Sequence, residues 1–304
     1  MDKRMPAATK EKARIRYVYH LDQLDRIPEG PSSATVVPRR PRSGALPAGA
    51  VVTGSRAHVA LVRQLRGTGH GLRSCPGEQF QYVMQGRLIL DIDGQLLPAS
   101  RGHVLHIPAG MPHALAVGAE EDAVLIAVTD TRDDRAGAED WKPLRATPSA
   151  PQSPNATGKR PRYVYAIDEL NEMPEVPCSA VVTPKNFVSK KSSSYGASLK
   201  GEMLQVGLIR KARGSGAKLH THPNEQFNLV LEGRLVGEIG GFPMEVPAGS
   251  LIHMPAKVEH CTIASADGDV LFFVVKDTSH GMAGPPVDGI EDGPRFLPGF
   301  GPRS

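Results

Sequence analysis

At 304 residues the chain is long enough for two modest domains or one large one. Its formal net charge of +4 comes from interspersed acids and bases, which excludes the basic stripe of a nucleic-acid binder. Aromatic content of 5%, with 32 glycines and 27 prolines, favours turn-rich β structure over helix bundles.

The opening MDKRMPAATKEKARIR is basic but has no apolar h-region, so it does not read as a secretory signal. No apolar run reaches membrane-spanning length. The three cysteines, Cys75, Cys178 and Cys261, are an odd and sparse set, as expected of a reduced, cytoplasmic setting.

The chain repeats itself. RYVYHLDQLDRIPEGPSSATVV from Arg16 matches RYVYAIDELNEMPEVPCSAVV from Arg162 at an offset of 146. PGEQFQYVMQGRL from Pro76 matches PNEQFNLVLEGRL from Pro223, and HIPAGMPH from His106 matches HMPAKVEH from His253, both at 147. The expected organisation is an N-terminal domain over 1–132, a linker over 133–161, a C-terminal domain over 162–278 and a Gly/Pro-rich tail over 279–304. Trp141 is a candidate for docking onto one of the halves, and Phe296, Leu297 and Phe300 for anchoring the tail.

Within each half, LDQLDRIPEG and IDELNEMPEV read as short turns or single helical turns leading into a barrel. Short apolar or alternating segments then follow, punctuated by Gly and Pro. HVALVRQL, FQYVMQGRLILDIDGQ, HVLHIP and AVLIAVTD are answered by MLQVGLIRKA, QFNLVLEGRLVGEIG, SLIHMP and DVLFFVVKD. The fold class expected is all-β, with two antiparallel barrels related by duplication.

Residues two apart share a strand face, so His220 and His222 of HTHPNEQ face one side together. Imidazole is the commonest protein ligand for divalent metals. Pro223 and Asn224 suit a turn, after which Gln226 and Asn228 share one face while Phe227 and Leu229 share the other. Downstream, His260 follows a second turn and could add a third imidazole. On the opposite faces, Phe80/Tyr82 and Phe227/Leu229 suit packing between sheets or between subunits.

These residues carry a resemblance to the cupin superfamily, whose first motif is G-x5-H-x-H-x3/4-E-x6-G and whose second is G-x5-P-x-G-x2-H-x3-N. Gly214, His220, His222, Gln226 and Gly233 fit the first with Gln for Glu. Gly249, Pro255 and His260 fit the second, with Lys257 for its Gly and Ala264 for its Asn. The resemblance implies two jelly-roll cupin domains, a homodimer, and one divalent metal per chain on His220, His222, Gln226 and His260. Three imidazoles and an amide suit Fe, Mn, Ni, Co, Cu or Zn.

The first half keeps the frame without the ligands. Arg73 and Cys75 stand where the histidines would be, with Gln79 and His113 in place. A fixed guanidinium cation opposes a metal ion there, so no metal is expected, although a soft site of Cys75, Gln79 and His113 is an alternative. Arg73 could instead pair with an anion.

A carboxamide ligand leaves the full dication charge in place, which raises Lewis acidity and favours an anionic small-molecule substrate. The function expected is isomerisation, tautomerisation or hydration of a small keto or sugar acid. The alternatives are an Fe(II)-dependent dioxygenase cleaving a diketone or aromatic acid, and a non-catalytic binding protein. No nucleic-acid or membrane partner is expected. Asn228 and His253 are substrate-contact candidates, though packing or hydrogen bonding is the better reading of His253 and His106. Glu225, Glu259 and His253 are candidate acid–base groups, with a structural role favoured for Glu225.

Overall fold

The computed structural model describes residues 15–38, 49–133, 142–144 and 160–301. Trp141 lies outside them. Among the described residues strands dominate, and the helical elements are two 3-10 turns, Leu21–Gln23 and Ile167–Glu169, where short turns or single helical turns were expected. No helix among the described residues is long and apolar enough to cross a membrane.

Each half builds one seven-stranded and one five-stranded antiparallel sheet. In the first half the large sheet centres on Gln79–Gln85 between His103–Ile107 and Ala123–Asp130. In the second it centres on Gln226–Glu232 between Ser250–Met254 and Val270–Asp277. Side-chain alternation along these strands sends Val83 and Val230 into separate barrel interiors. It sends Phe80, Tyr82, Phe227 and Leu229 the opposite way, into a shared cluster with residues of both halves. Tyr82 stacks on Phe273 with centroids 5.1 Å apart. The aromatic faces expected to pack between sheets therefore join the two barrels of one chain.

The halves exchange their leading strands. Val18–His20, at the start of the first half, pairs with Ser250–Met254 of the second barrel. Val164–Ala166 returns the exchange by pairing with His103–Ile107 of the first. The boundaries 1–132 and 162–278 follow the duplication but divide these strands from the sheets they complete. Each exchanged strand covers an edge that would otherwise present unpaired N–H and C=O groups.

Two buried carboxylates lock the exchange. Glu78 accepts hydrogen bonds from the backbone N–H groups of Glu202 (2.8 Å), Met203 (3.0 Å) and Leu204 (2.9 Å) in the other half. Glu225 answers by accepting from Ser55 (2.7 Å), Arg56 (2.9 Å) and Ala57 (3.3 Å). Each carboxylate also meets a histidine at 2.9 Å, His106 for Glu78 and His253 for Glu225. The far ring nitrogens reach Ser179 and Ser33 respectively. The carboxylates lie so close to the turn they cap that a Cβ at Gly54 would come within 2.2 Å of Glu225 Oε1.

The linker and tail play equivalent parts. Lys142–Pro143 adds an edge strand along Thr68–Arg73, and Arg295–Phe296 does the same along Ser215–Gly216. Leu144 N–H bonds to Gly67 O and Leu297 N–H to Gly214 O. Phe300 packs over Gly214 and under the Arg213 guanidinium, so the tail is anchored through the residues expected to do so.

Candidate metal centre

The three histidines of the second half converge. His220 and His260 form an antiparallel bridge, with reciprocal backbone hydrogen bonds of 3.0 Å. His222 follows two residues later, before the Pro223–Asn224 turn. The ring nitrogens of His220, His222 and His260 available as ligands lie within 4.8 Å of one another. No other such group of three His, Cys, Asp or Glu ligand atoms occurs among the described residues. Lys257 N–H bonds to His222 O at 2.8 Å and ties the two motif loops together. Lys257 keeps the left-handed backbone, φ 65°, of the glycine it replaces.

Each ring is oriented the same way. Nδ1 of His220 donates to Lys218 O, that of His222 to Asn224 O and that of His260 to Val258 O, at 2.7–2.8 Å. These bonds commit the Nδ1 proton and leave each Nε2 as a lone-pair donor. Burial pushes the His220 and His222 pKa values down to about 4. Burial, reinforced by the neighbouring rings, holds His260 well below its ordinary value. All three are therefore neutral at neutral pH, as ligation requires. His260 Nε2 is buried without a hydrogen-bond partner.

Gln226 lies beside His222. Its Nε2 donates to Asn228 Oδ1 at 2.8 Å, which turns Oε1 toward His222 Nε2 at 3.0 Å. With the Nδ1 proton of His222 committed to Asn224 O, its Nε2 and Gln226 Oε1 both present lone pairs, an arrangement that suits two ligands of one cation. Two ligand atoms at right angles, each about 2.1 Å from a first-row dication, stand about 3.0 Å apart. The donor set fits a divalent transition metal, and with no carboxylate in it the ion's charge stays uncompensated.

The centre opens into a pocket with a cavity volume of about 70 Å³. His220, His260, Gln226 and Asn228 form the metal-side wall. The tail supplies Met282, Ala283, Gly284 and Pro286 as another. Backbone bonds from Thr221 to Pro285 and from Val287 to Leu219 hold the tail in place, as do the Gln205 and Asn224 amides on His280 O.

Two residues important to this centre escaped the sequence reading. Lys211 and Lys276 are 3% and 1% exposed. Lys211 lines the pocket and donates to Thr262 O and Oγ1. Lys276 donates to Met282 O of the tail. Burial brings both pKa values down to about 7. The available signal was a lysine sharing a strand face with core residues, Ile209 for Lys211 and Val274 for Lys276.

Other expected site residues lie elsewhere. His253 is not in the pocket: it stacks on Phe227 and bonds to Glu225 and Ser33, so it joins the barrels. Glu225 is its buried partner, and Glu259 is exposed. In the first barrel, Arg73 pairs across the sheet with His113, while Cys75, Gln79 and His113 are buried.

The fold and its two motif pairs define a duplicated β-barrel protein with a histidine-rich centre in one barrel. The Cupin_2 family, described as a cupin domain, matches residues 64–129 and 208–276, and the chain is a two-domain cupin. A curated relative, dimethylsulfoniopropionate lyase DddW of Ruegeria pomeroyi, is 29% identical over 121 residues, 40% of this chain and 77% of that protein. A single-residue mutant of Bacillus subtilis oxalate decarboxylase OxdC matches with a TM-score of 0.55 at 14% identity, over 88% of this chain and 78% of that one. AerE from Microcystis aeruginosa matches with a TM-score of 0.54 at 14% identity, over 76% and 91%. At these identities the structural likeness is one of fold.

Proposed function

We propose that the second barrel holds one divalent transition-metal ion on His220, His222, His260 and Gln226. In this reading the chain is a metal-dependent enzyme acting on a small carboxylic acid by non-oxidative proton-shift chemistry. Isomerisation, tautomerisation, hydration and elimination all belong to that class. The observation that carries the reading is the facing pair of acceptors, His222 Nε2 and Gln226 Oε1, beside the orphaned His260 Nε2. When bound, the ion supplies Lewis-acid polarisation of a substrate oxygen. Gln226 binds without neutralising charge, and Asn228 fixes its amide. The likeness to a lyase supports elimination as a member of the class. Structures of oxalate decarboxylase studied for their Mn(II) centres share the fold and make Mn one candidate ion.

Metal analysis tests the reading. Wild type should carry about one ion per chain, His222→Ala nearly none, and His113→Ala as much as wild type. Retention of metal by His222→Ala would overturn it. Oxygen uptake with diketones or catechol-like acids would favour the oxygenase alternative; no turnover of any acid would favour a binding protein. A homodimer would need a surface other than the aromatic faces buried between the barrels, which sedimentation of the intact protein measures.

A further inference from the structure

Lys211 is the titratable side chain that lines the pocket, is buried, and is neither a proposed ligand nor bound to an acid. Lys191 and Lys218 also border the pocket, but both are paired with tail carboxylates: Lys191 with Glu291, and Lys218 with Asp288 and Asp292. Among the described residues no ion pair reaches Lys211 or Lys276, and Lys211 satisfies its ammonium only on Thr262. Burying an ammonium away from any carboxylate is unfavourable, and a hydrophobic residue of similar size would pack there at no such penalty.

The duplication supplies an internal control. The strand Leu204–Lys211 corresponds to Ala57–Gln64, and Val270–Asp277 to Ala123–Asp130, so Gln64 and Thr129 stand where Lys211 and Lys276 do. The twin barrel lacks the histidine pair and both lysines together. The lysines therefore accompany the histidine centre, and the sheet order common to both barrels does not require them. Among the described residues no carboxylate lines the pocket. Charge complementarity calls for an anionic occupant.

We infer that Lys211 is a specificity-determining residue that anchors a carboxylate of the substrate while another oxygen of the same molecule faces the His220–His260 wall. The substrate is then a small acid with two oxygen-bearing ends, short enough for the cavity. Lys276, on the neighbouring strand Val270–Asp277, holds the tail wall through Met282 O. This inference rests on the metal-dependent reading for the second end of the substrate, but not for the first.

Calorimetric titration of the full-length protein with malonate and with uncharged malonamide tests it. Wild type should prefer malonate, and Lys211→Met and Lys211→Gln should each lose about 10–100-fold in malonate affinity, the loss expected for a charge-assisted hydrogen bond. Both variants should keep the wild-type metal content, and Lys211→Met should melt no lower than wild type. A scaffold role for Lys211 would lower the melting temperature instead. Unchanged malonate affinity in both variants, equal binding of malonate and malonamide by wild type, or loss of thermal stability in Lys211→Met would overturn the assignment. If wild type takes up no metal, the metal reading fails separately, and the malonate preference of the metal-free protein still decides the role of Lys211.

Discussion

The two barrels share a frame and differ in what they enclose. Both have the carboxylate clamp, Glu78 with His106 and Glu225 with His253, with equivalent backbone partners and equivalent glycines at 54 and 201. Both also have the exchanged leading strand and the returning edge strand. In their interiors, His220 and His222 stand against Arg73 and Cys75, and Lys211 and Lys276 against Gln64 and Thr129. The clamps hold the barrels to each other, so both halves need them. The first barrel has neither the histidine pair nor the two lysines and still keeps the sheet order of the second.

The comparison is broken most severely at a clamp. Glu225→Ala should cost about 3–5 kcal/mol, because the backbone N–H groups of Ser55, Arg56 and buried Ala57, together with buried His253, lose their acceptor. Chemical denaturation should show the same class of loss for Glu78→Ala, although only Glu225 adjoins the proposed centre. Equal destabilisation with metal loss confined to Glu225→Ala would separate scaffold from site.

Rebuilding the missing ligands tests the frame from the other side. Arg73→His with Cys75→His places imidazoles beside Gln79 and His113, and metal content should rise from about one ion per chain toward two. A double variant that folds but still binds one ion would show that the lumen beyond the ligand positions also matters.

Acid should weaken both clamps together. Burial alone would raise the pKa values of Glu78 and Glu225, but the histidine and backbone hydrogen bonds outweigh it and hold both below 4.5. A carboxylate depressed on folding stabilises the protein above its unfolded value, and that stabilisation is lost as pH falls through the folded one. Melting temperature should therefore drop as pH falls below about 4.5, and less steeply in Glu78→Gln. The smallest effect expected is at Lys257. Lys257→Gly restores the residue its counterpart Gly110 has at φ 72° and should stabilise by about 1 kcal/mol at most.

Much of the molecule was legible in the chain. The duplication, the all-β class and the strand alternation follow from local pattern, because a strand's two faces are set by its own period of two. The frame of His220, His222, Gln226 and His260 was legible because its spacing is measured along the chain. Lys211 and Lys276 were not singled out, since their burial depends on which strands close the barrel. His253 was placed among candidate substrate contacts, but its partner Glu225 binds the opposite barrel and draws it into the joint. The linker and the Gly/Pro-rich tail were read separately, yet 142–144 and 295–297 add equivalent edge strands to equivalent sheets.

The sequence by itself determined that there are two related barrels, which of them carries three histidines, and that the fourth position is an amide. Only the tertiary structure decided that the leading strands cross between the barrels, that two carboxylates join them, and that lysines and the tail wall the pocket. The division has one physical cause. Periodicity and motif spacing are properties of neighbouring residues, whereas burial, exchange and charge pairing arise between segments more than a hundred residues apart, such as Glu225 and Ser55.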